Sequence, residues 1–165
     1  MNNKLFLICP FSQLEHFIRE KYGDDVFFIT APGAVFQFED VNYTEVMRDF
    51  INRENITDIF IVNDTSCRFI KSVLEKEKGF GTFSEEAMIN LLIDNYSVVM
   101  QTKSLIEQKK ALAELNIRRQ VKEILSNELF LQPIIQNKIS IKGLITTKAE
   151  NKLIELNFNL KEFLK

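Results

Sequence analysis

The sequence has no tryptophan, one histidine, two cysteines, three prolines and five glycines in 165 residues. Each shortage excludes something. Two cysteines, Cys9 and Cys67, cannot build a disulfide framework, and nothing marks the chain as secreted. So little glycine and proline disfavours an all-β sandwich with many tight turns. No apolar run approaches the roughly 20 residues that a bilayer-spanning helix needs. The stretch Leu5–Ile8 is too short for the apolar segment of a signal peptide. An excess of one charge sign is also missing: 21 basic against 23 acidic side chains leave a formal charge of −2. That balance offers no electrostatic footprint for nucleic acid or an anionic membrane. What the chain has in quantity is apolar side chains, 45% of the total with fifteen phenylalanines, enough for a core of Phe, Leu and Ile. Length and composition together predict one cytoplasmic domain over residues 1–165.

The first half alternates two hydrophobic periods. Residues 4–9 form a continuous apolar run ended by Pro10, the pattern of a strand buried on both faces. Leu14, Phe17, Ile18 and Tyr22 then recur at helical spacing, with Ser12 placed to cap the start and Gly23 the end. Residues 26–30 read as a second buried strand, stopped by Ala31-Pro32-Gly33. Val46, Phe50 and Ile51 share a face of a helix over about residues 42–54. Residues 58–62 read as the third strand, followed by a polar turn over 63–66, and Phe69, Ile70, Val73 and Leu74 mark another helix. Strand and helix in alternation mean parallel strands joined by right-handed crossovers.

The second half is mostly helical over 84–131, with Met88, Leu91 and Leu92, then Ile117, Val121, Ile124 and Leu125, at helical spacing. Gly79 and Gly81 break the chain before this region. Residues 139–145 alternate and pair with 152–156 as a hairpin at the sheet edge. The fold class is α/β.

In open parallel sheets, ligands bind beyond the carboxyl ends of the strands, where the strand order reverses. Three loops occupy that edge: Cys9 to Gln13, Thr30 to Val35 and Asn63 to Arg68. If the first and third strands are neighbours, Cys9 and Cys67 face one cleft. Cys67 also falls near a helix N-terminus, where the dipole favours a thiolate.

The segments Cys9-Pro-Phe-Ser-Gln13, Thr30-Ala-Pro-Gly-Ala34 and Asp64-Thr-Ser-Cys67-Arg68 resemble, in order and spacing, the β-class carbonic anhydrases. That family carries C-x-D-x-R after its first strand, an R-N-A-G-N-like loop after the second and H-x-x-C-G after the third. Asn116-Ile-Arg-Arg-Gln120-Val121 is similar to its late N-x-x-x-Q-V helix, and residues 139–145 and 153–156 to its closing strands. The likeness runs from Lys4 to about Leu156 and rests on order and spacing, since no single motif is intact. It implies a parallel sheet of four strands in a 2-1-3-4-like order plus an edge strand, flanked by helices. It also implies a homodimer.

The departures bear on chemistry. The family binds zinc through two Cys and one His, with water in the fourth position. By register, Cys9 and Cys67 stand at the Cys positions and Asp64 stands where the His belongs. The only histidine, His16, falls on the first helix. Phe11 and Gln13 replace the paired Asp and Arg that orient the zinc-bound hydroxide, a loss that typically costs about 10- to 100-fold in metal affinity or activity. Arg68 replaces a small Gly, and Phe11, Gln13, Pro32, Gly33 and Arg68 are the expected lining of the cleft. The chain starts almost at its first strand, so the helical arm that precedes it in many family members is not expected.

Three readings follow. The first is a catalytically inactive carbonic-anhydrase-like protein with a binding or regulatory role, carrying no cofactor. The second is a zinc hydratase acting on CO₂ with Cys9, Asp64 and Cys67 as ligands. The third is a thiol redox or sensor protein using Cys9 and Cys67. The blander assignments stand beside them. The cysteines can be small buried core residues, and Asp64 a turn or cap residue. Arg118, Arg119 and Lys122 read as a solvated helix face, as do Glu75–Lys78 and Lys109–Lys110.

Overall fold

The computed structural model describes residues 2–77, 79 and 81–163, so Lys78, the last member of the Glu75–Lys78 run, lies outside it. One five-stranded sheet organises the chain. Its strands are β1 (Asn3–Ile8), β2 (Val26–Thr30), β3 (Ile56–Asp64), β4 (Ser140–Thr147) and β5 (Lys152–Asn157), in spatial order β2-β1-β3-β4-β5. The first four run parallel, and β5 returns antiparallel from β4 at the edge, as the hairpin reading expects.

Helices cover both faces. On one, among the described residues, lies α1 (Glu15–Tyr22) alone, closing a small core of Phe6, Leu14, Phe17, Ile18, Phe60 and Val62. There the Phe6 and Phe60 rings stack at 4.6 Å. The other face carries α2 (Val41–Arg53), α3 (Arg68–Glu75), α4 (Phe83–Asp94), α6 (Leu105–Ser126) and α7 (Glu128–Gln136) over the main core. A short α5 (Tyr96–Val99) links α4 to α6, and α8 (Leu160–Phe163) follows β5. Because both faces are covered, Leu5 to Ile8 are all fully buried, which explains their unbroken apolar run.

Side chains alternate across a strand, so parity assigns each β3 residue to a face. Ile59 and Ile61 enter the main core with Leu5, Leu7, Cys9 and Cys67, while Phe60 and Val62 meet α1. Helix α6 packs directly on β4 because Gly143 lacks a side chain: a Cβ there would lie 2.5 Å from Ile117 Cγ2.

Several local expectations are corrected. Ser12 does not cap α1. It ends a 3-10 turn (Pro10–Ser12) and its hydroxyl donates to the Cys9 carbonyl at 2.6 Å, while Leu14 holds the N-cap position. Val46 is 69% exposed, and Met47 and Ile51 carry the buried face of α2. Strand β3 continues to Asp64, so Asn63 and Asp64 belong to the sheet ladder rather than to a turn. Arg119 is no solvated residue: its Nη1 donates to the Ala87 carbonyl at 2.8 Å and its Nη2 to Asn116 Oδ1 at 3.1 Å. Among the described residues, no helix is long and apolar enough to cross a membrane.

Candidate functional site at the strand carboxyl edge

The chain leaves β1 for β2 on one side and returns to β3 on the other, so the carboxyl ends of β1 and β3 flank the reversal of strand order. Cys9 follows β1 directly. Cys67 occupies the N-cap position of α3, three residues beyond β3. Because β1 and β3 pair through Leu7 and Ile61, the two cysteines meet. The Cys67 thiol donates to Cys9 Sγ at 3.5 Å, and the Gly33 N–H donates to the same sulfur at 3.1 Å. Both residues are 1% exposed. The Cys67 donor lowers Cys9 to about 7, helped by backbone N–H groups and opposed by burial. That bond, burial and the Cys9 charge push Cys67 far above the ordinary thiol range. The pair is organised to hold one negative charge between two sulfurs.

Asp64 does not join them. Its even position in β3 sends its side chain to the face opposite the cysteines, where Thr146 of β4, Lys148 just beyond it and Ser66 are its partners. Thr146, its ladder partner, donates to Oδ2 at 2.6 Å. The Lys148 N–H donates to Oδ2 at 2.9 Å, the Ser66 N–H to Oδ1 at 2.9 Å, and the Ser66 hydroxyl also bonds Oδ1. Both carboxylate oxygens are engaged, Oδ2 in joining β3 to the end of β4 and Oδ1 in holding Ser66 in the turn after β3. Among the described residues, no group of three His, Cys, Asp or Glu side chains is placed to hold a metal ion. His16 is remote from the pair, surface-exposed on α1 and 3.2 Å from Glu20.

The remaining predicted cleft residues separate into a seal and a rim. Gly33, with φ +66°, lies against Phe69: a Cβ there would come within 2.7 Å of that ring and 3.4 Å of Met88 Cε. Phe69, rather than Phe11 or Arg68, fills the space beside the cysteines. Phe11, at 42% exposure, Gln13 and Arg68 stand at the surface. Lys148, which sequence reasoning did not single out, closes the rim by donating to the Ser12 carbonyl at 2.9 Å. Open space lies to one side: a cavity of about 240 Å³ bordered by Thr30, Pro32, Phe36, Gln37, Tyr43 and Ser84.

Polar side chains of α6 hold the Gly33 loop from behind. Asn116 Nδ2 donates to Asn63 Oδ1 at 2.9 Å and to the Gly33 carbonyl at 3.1 Å, and Asn63 Nδ2 donates to that carbonyl at 3.0 Å. Gln120 Oε1 accepts from the Phe36 N–H at 2.9 Å. All three polar side chains are fully buried. Helix periodicity announced α6, but it could not show that two of its inward residues bind a loop.

No family model and no curated protein matches the chain. Solved structures do. The β-carbonic anhydrase CafA of Aspergillus fumigatus superposes with a TM-score of 0.81 at 20% identity, covering 99% of this chain and 81% of that one. A tetrameric β-carbonic anhydrase of Sordaria macrospora gives 0.79 at 16% identity, covering 94% and 80%. A Coccomyxa β-carbonic anhydrase in complex with acetazolamide gives 0.75 at 17%, covering 94% and 72%. With the strand order β2-β1-β3-β4-β5 and nearly the whole chain aligned, the protein has the β-carbonic anhydrase fold.

Proposed function

We propose that this chain is a carbonic-anhydrase-like protein that does not hydrate CO₂ and uses the scaffold for binding or regulation, as one domain over residues 1–165 and as a cytoplasmic homodimer. The observation that carries this reading is the position of Asp64. A catalytic zinc needs three protein ligands and an open fourth position. Here the donors that converge are two sulfurs, both 1% exposed, and the candidate third ligand faces away with both oxygens hydrogen-bonded. That donor set does not fit a catalytic zinc. Phe11 and Gln13 add to the mismatch, since Phe11 cannot accept from a bound hydroxide and Gln13 cannot supply a cation. The cavity beside Pro32 gives the scaffold a place to take a small ligand, although at about 240 Å³ it is below the usual range for drug-sized ones.

The test is elemental mass spectrometry on protein purified under reducing conditions without chelator, paired with a CO₂ hydration assay. Metal at background and hydration at the uncatalysed rate are expected. About one zinc per chain, lost in Cys67→Ser, would overturn the proposal and favour the hydratase reading. The 3.5 Å sulfur–sulfur contact favours a second reading, a redox or sensor role for the cysteine pair.

A further inference from the structure

We propose that Cys9 and Cys67 are the site of a reversible oxidation, closing into an intrachain disulfide when a small hydroperoxide enters. The inference rests on the reading above, because thiolates holding zinc would not be free to react. They are the chain's only two cysteines and both are free thiols. Although 58 positions apart in sequence, they lie in direct contact at 3.5 Å. A disulfide bond is about 2.05 Å long, so closure asks the sulfurs to approach by roughly 1.5 Å, within reach of small side-chain rotations. The anchors are already side by side, since Cys9 directly follows β1, Cys67 is the N-cap of α3, and β1 pairs with β3. No rearrangement of the sheet is required.

The hydrogen bonds distinguish the two sulfurs. Cys9 Sγ accepts from both Gly33 N–H and the Cys67 thiol, so it is the electron-rich member and the attacking one. Cys67 stands in contact as the resolving thiol. Both are buried, yet each has exposed chain neighbours, Pro10 for Cys9 and Ser66 and Arg68 for Cys67. Burial next to exposed neighbours selects for a small oxidant. The Cys9 sulfur forms an S–O bond as the peroxide O–O bond breaks, leaving a sulfenic acid and one water. The Cys67 sulfur then displaces the hydroxyl, the S–S bond forms, and the Cys67 proton leaves in a second water. Two thiols give up two electrons and two protons, and hydrogen peroxide takes them to become two waters. A dithiol reductant reverses the change. Oxidation would tie the end of β1 to the first turn of α3, next to Phe11, Gln13 and Arg68 at the rim.

The experiment treats the full chain with hydrogen peroxide in slight excess. Thiols are then counted by alkylation under denaturing conditions, with intact mass and metal content read on the same sample. Two alkylated cysteines before treatment are expected, and none after. The mass should fall by two hydrogens, and reductant should restore both thiols. In Cys67→Ser, a dione probe should trap Cys9 as a sulfenic acid. Two thiols persisting in zinc-free protein, or oxidation stopping at sulfinic acid without an S–S bond, would overturn the inference while leaving the loss of CO₂ hydration standing. One zinc per chain in the starting sample would overturn both.

Discussion

Asp64 is 1% exposed but fully partnered, by Thr146 and Lys148 at the end of β4 and by Ser66 in the turn that follows β3. A buried carboxylate so placed is a joint between two strands, and removing it strands several donors at once. Asp64→Ala should therefore cost about 2–4 kcal/mol, measured by urea unfolding, and a change below about 0.5 kcal/mol would contradict that role. Parity made this outcome hard to read from sequence. Residues 63–66 have turn composition, and only the extension of β3 to Asp64 decides which face the carboxylate takes. The meeting of Cys9 with Cys67 was legible, because it needs only that β1 and β3 be neighbours. The pair also sets a pH dependence. Cys9 is held at about 7 against an ordinary value of 9.0. A depressed value means its contribution is complete above the unfolded value near 9 and is lost as pH falls through 7. Cys67 is raised from 9.0, so its contribution is complete below 9 and declines above it. Stability of the wild type relative to Cys9→Ser should climb between pH 7 and 9, by at most about 1.4 kcal/mol per pH unit, and turn down beyond. Denaturant midpoints across that range check it, and a flat difference would show that the sulfurs share no charge.

At the scale of elements, α6 does two jobs. Its apolar residues Leu112, Ile117, Val121 and Ile124 build the core, and its buried Asn116 and Gln120 hold the loop that brings Gly33 to Cys9. The first job follows a 3.6-residue period and is plain in sequence. The second is invisible there, since an Asn or Gln reads as a surface residue until a backbone group is found opposite it. The same blindness affected Arg119, whose charge signals solvent although its guanidinium reaches back to Ala87 and Asn116. Replacing Asn116 with Leu keeps the volume close but leaves Asn63 Oδ1 without its donor and the Gly33 carbonyl with one fewer. A loss of about 2–3 kcal/mol is expected, together with faster alkylation of Cys9 in native protein as the Gly33 loop loosens. Unchanged thiol reactivity would mean that the loop is held without α6. Gly143 offers a purely steric counterpart. Ala at this position would press on Ile117 at 2.5 Å and Leu156 Cβ at 3.3 Å, and an overpacking cost of about 1–3 kcal/mol should appear in the midpoint of thermal unfolding.

For the whole molecule, the question is which surface would join two copies. Isolated exposed apolar residues need no explanation, whereas a concentration of them does. Residues 83–98 hold such a concentration: Phe83, Ile93, Tyr96 and Val98 are each more than half exposed, and Ile89 lies one turn before Ile93 on α4. The sheet has two edges, β2 and β5, and of these β5 carries Lys152 at 71% exposure and Glu155 in an ion pair with Lys142. Charges of this kind discourage strand-to-strand pairing. The homodimer proposed here should therefore form through α4 and α5. Light scattering at micromolar concentration should give twice the 19.3 kDa chain mass. Ile93→Glu should weaken the dimer by tenfold or more, about 1.4 kcal/mol, without lowering the unfolding midpoint of the monomer, because its side chain is 63% exposed. A wild-type monomer at that concentration would remove the dimer from the proposal. A dimer indifferent to Ile93→Glu would move the interface elsewhere, and the apolar helices α4 and α5 would then need another partner.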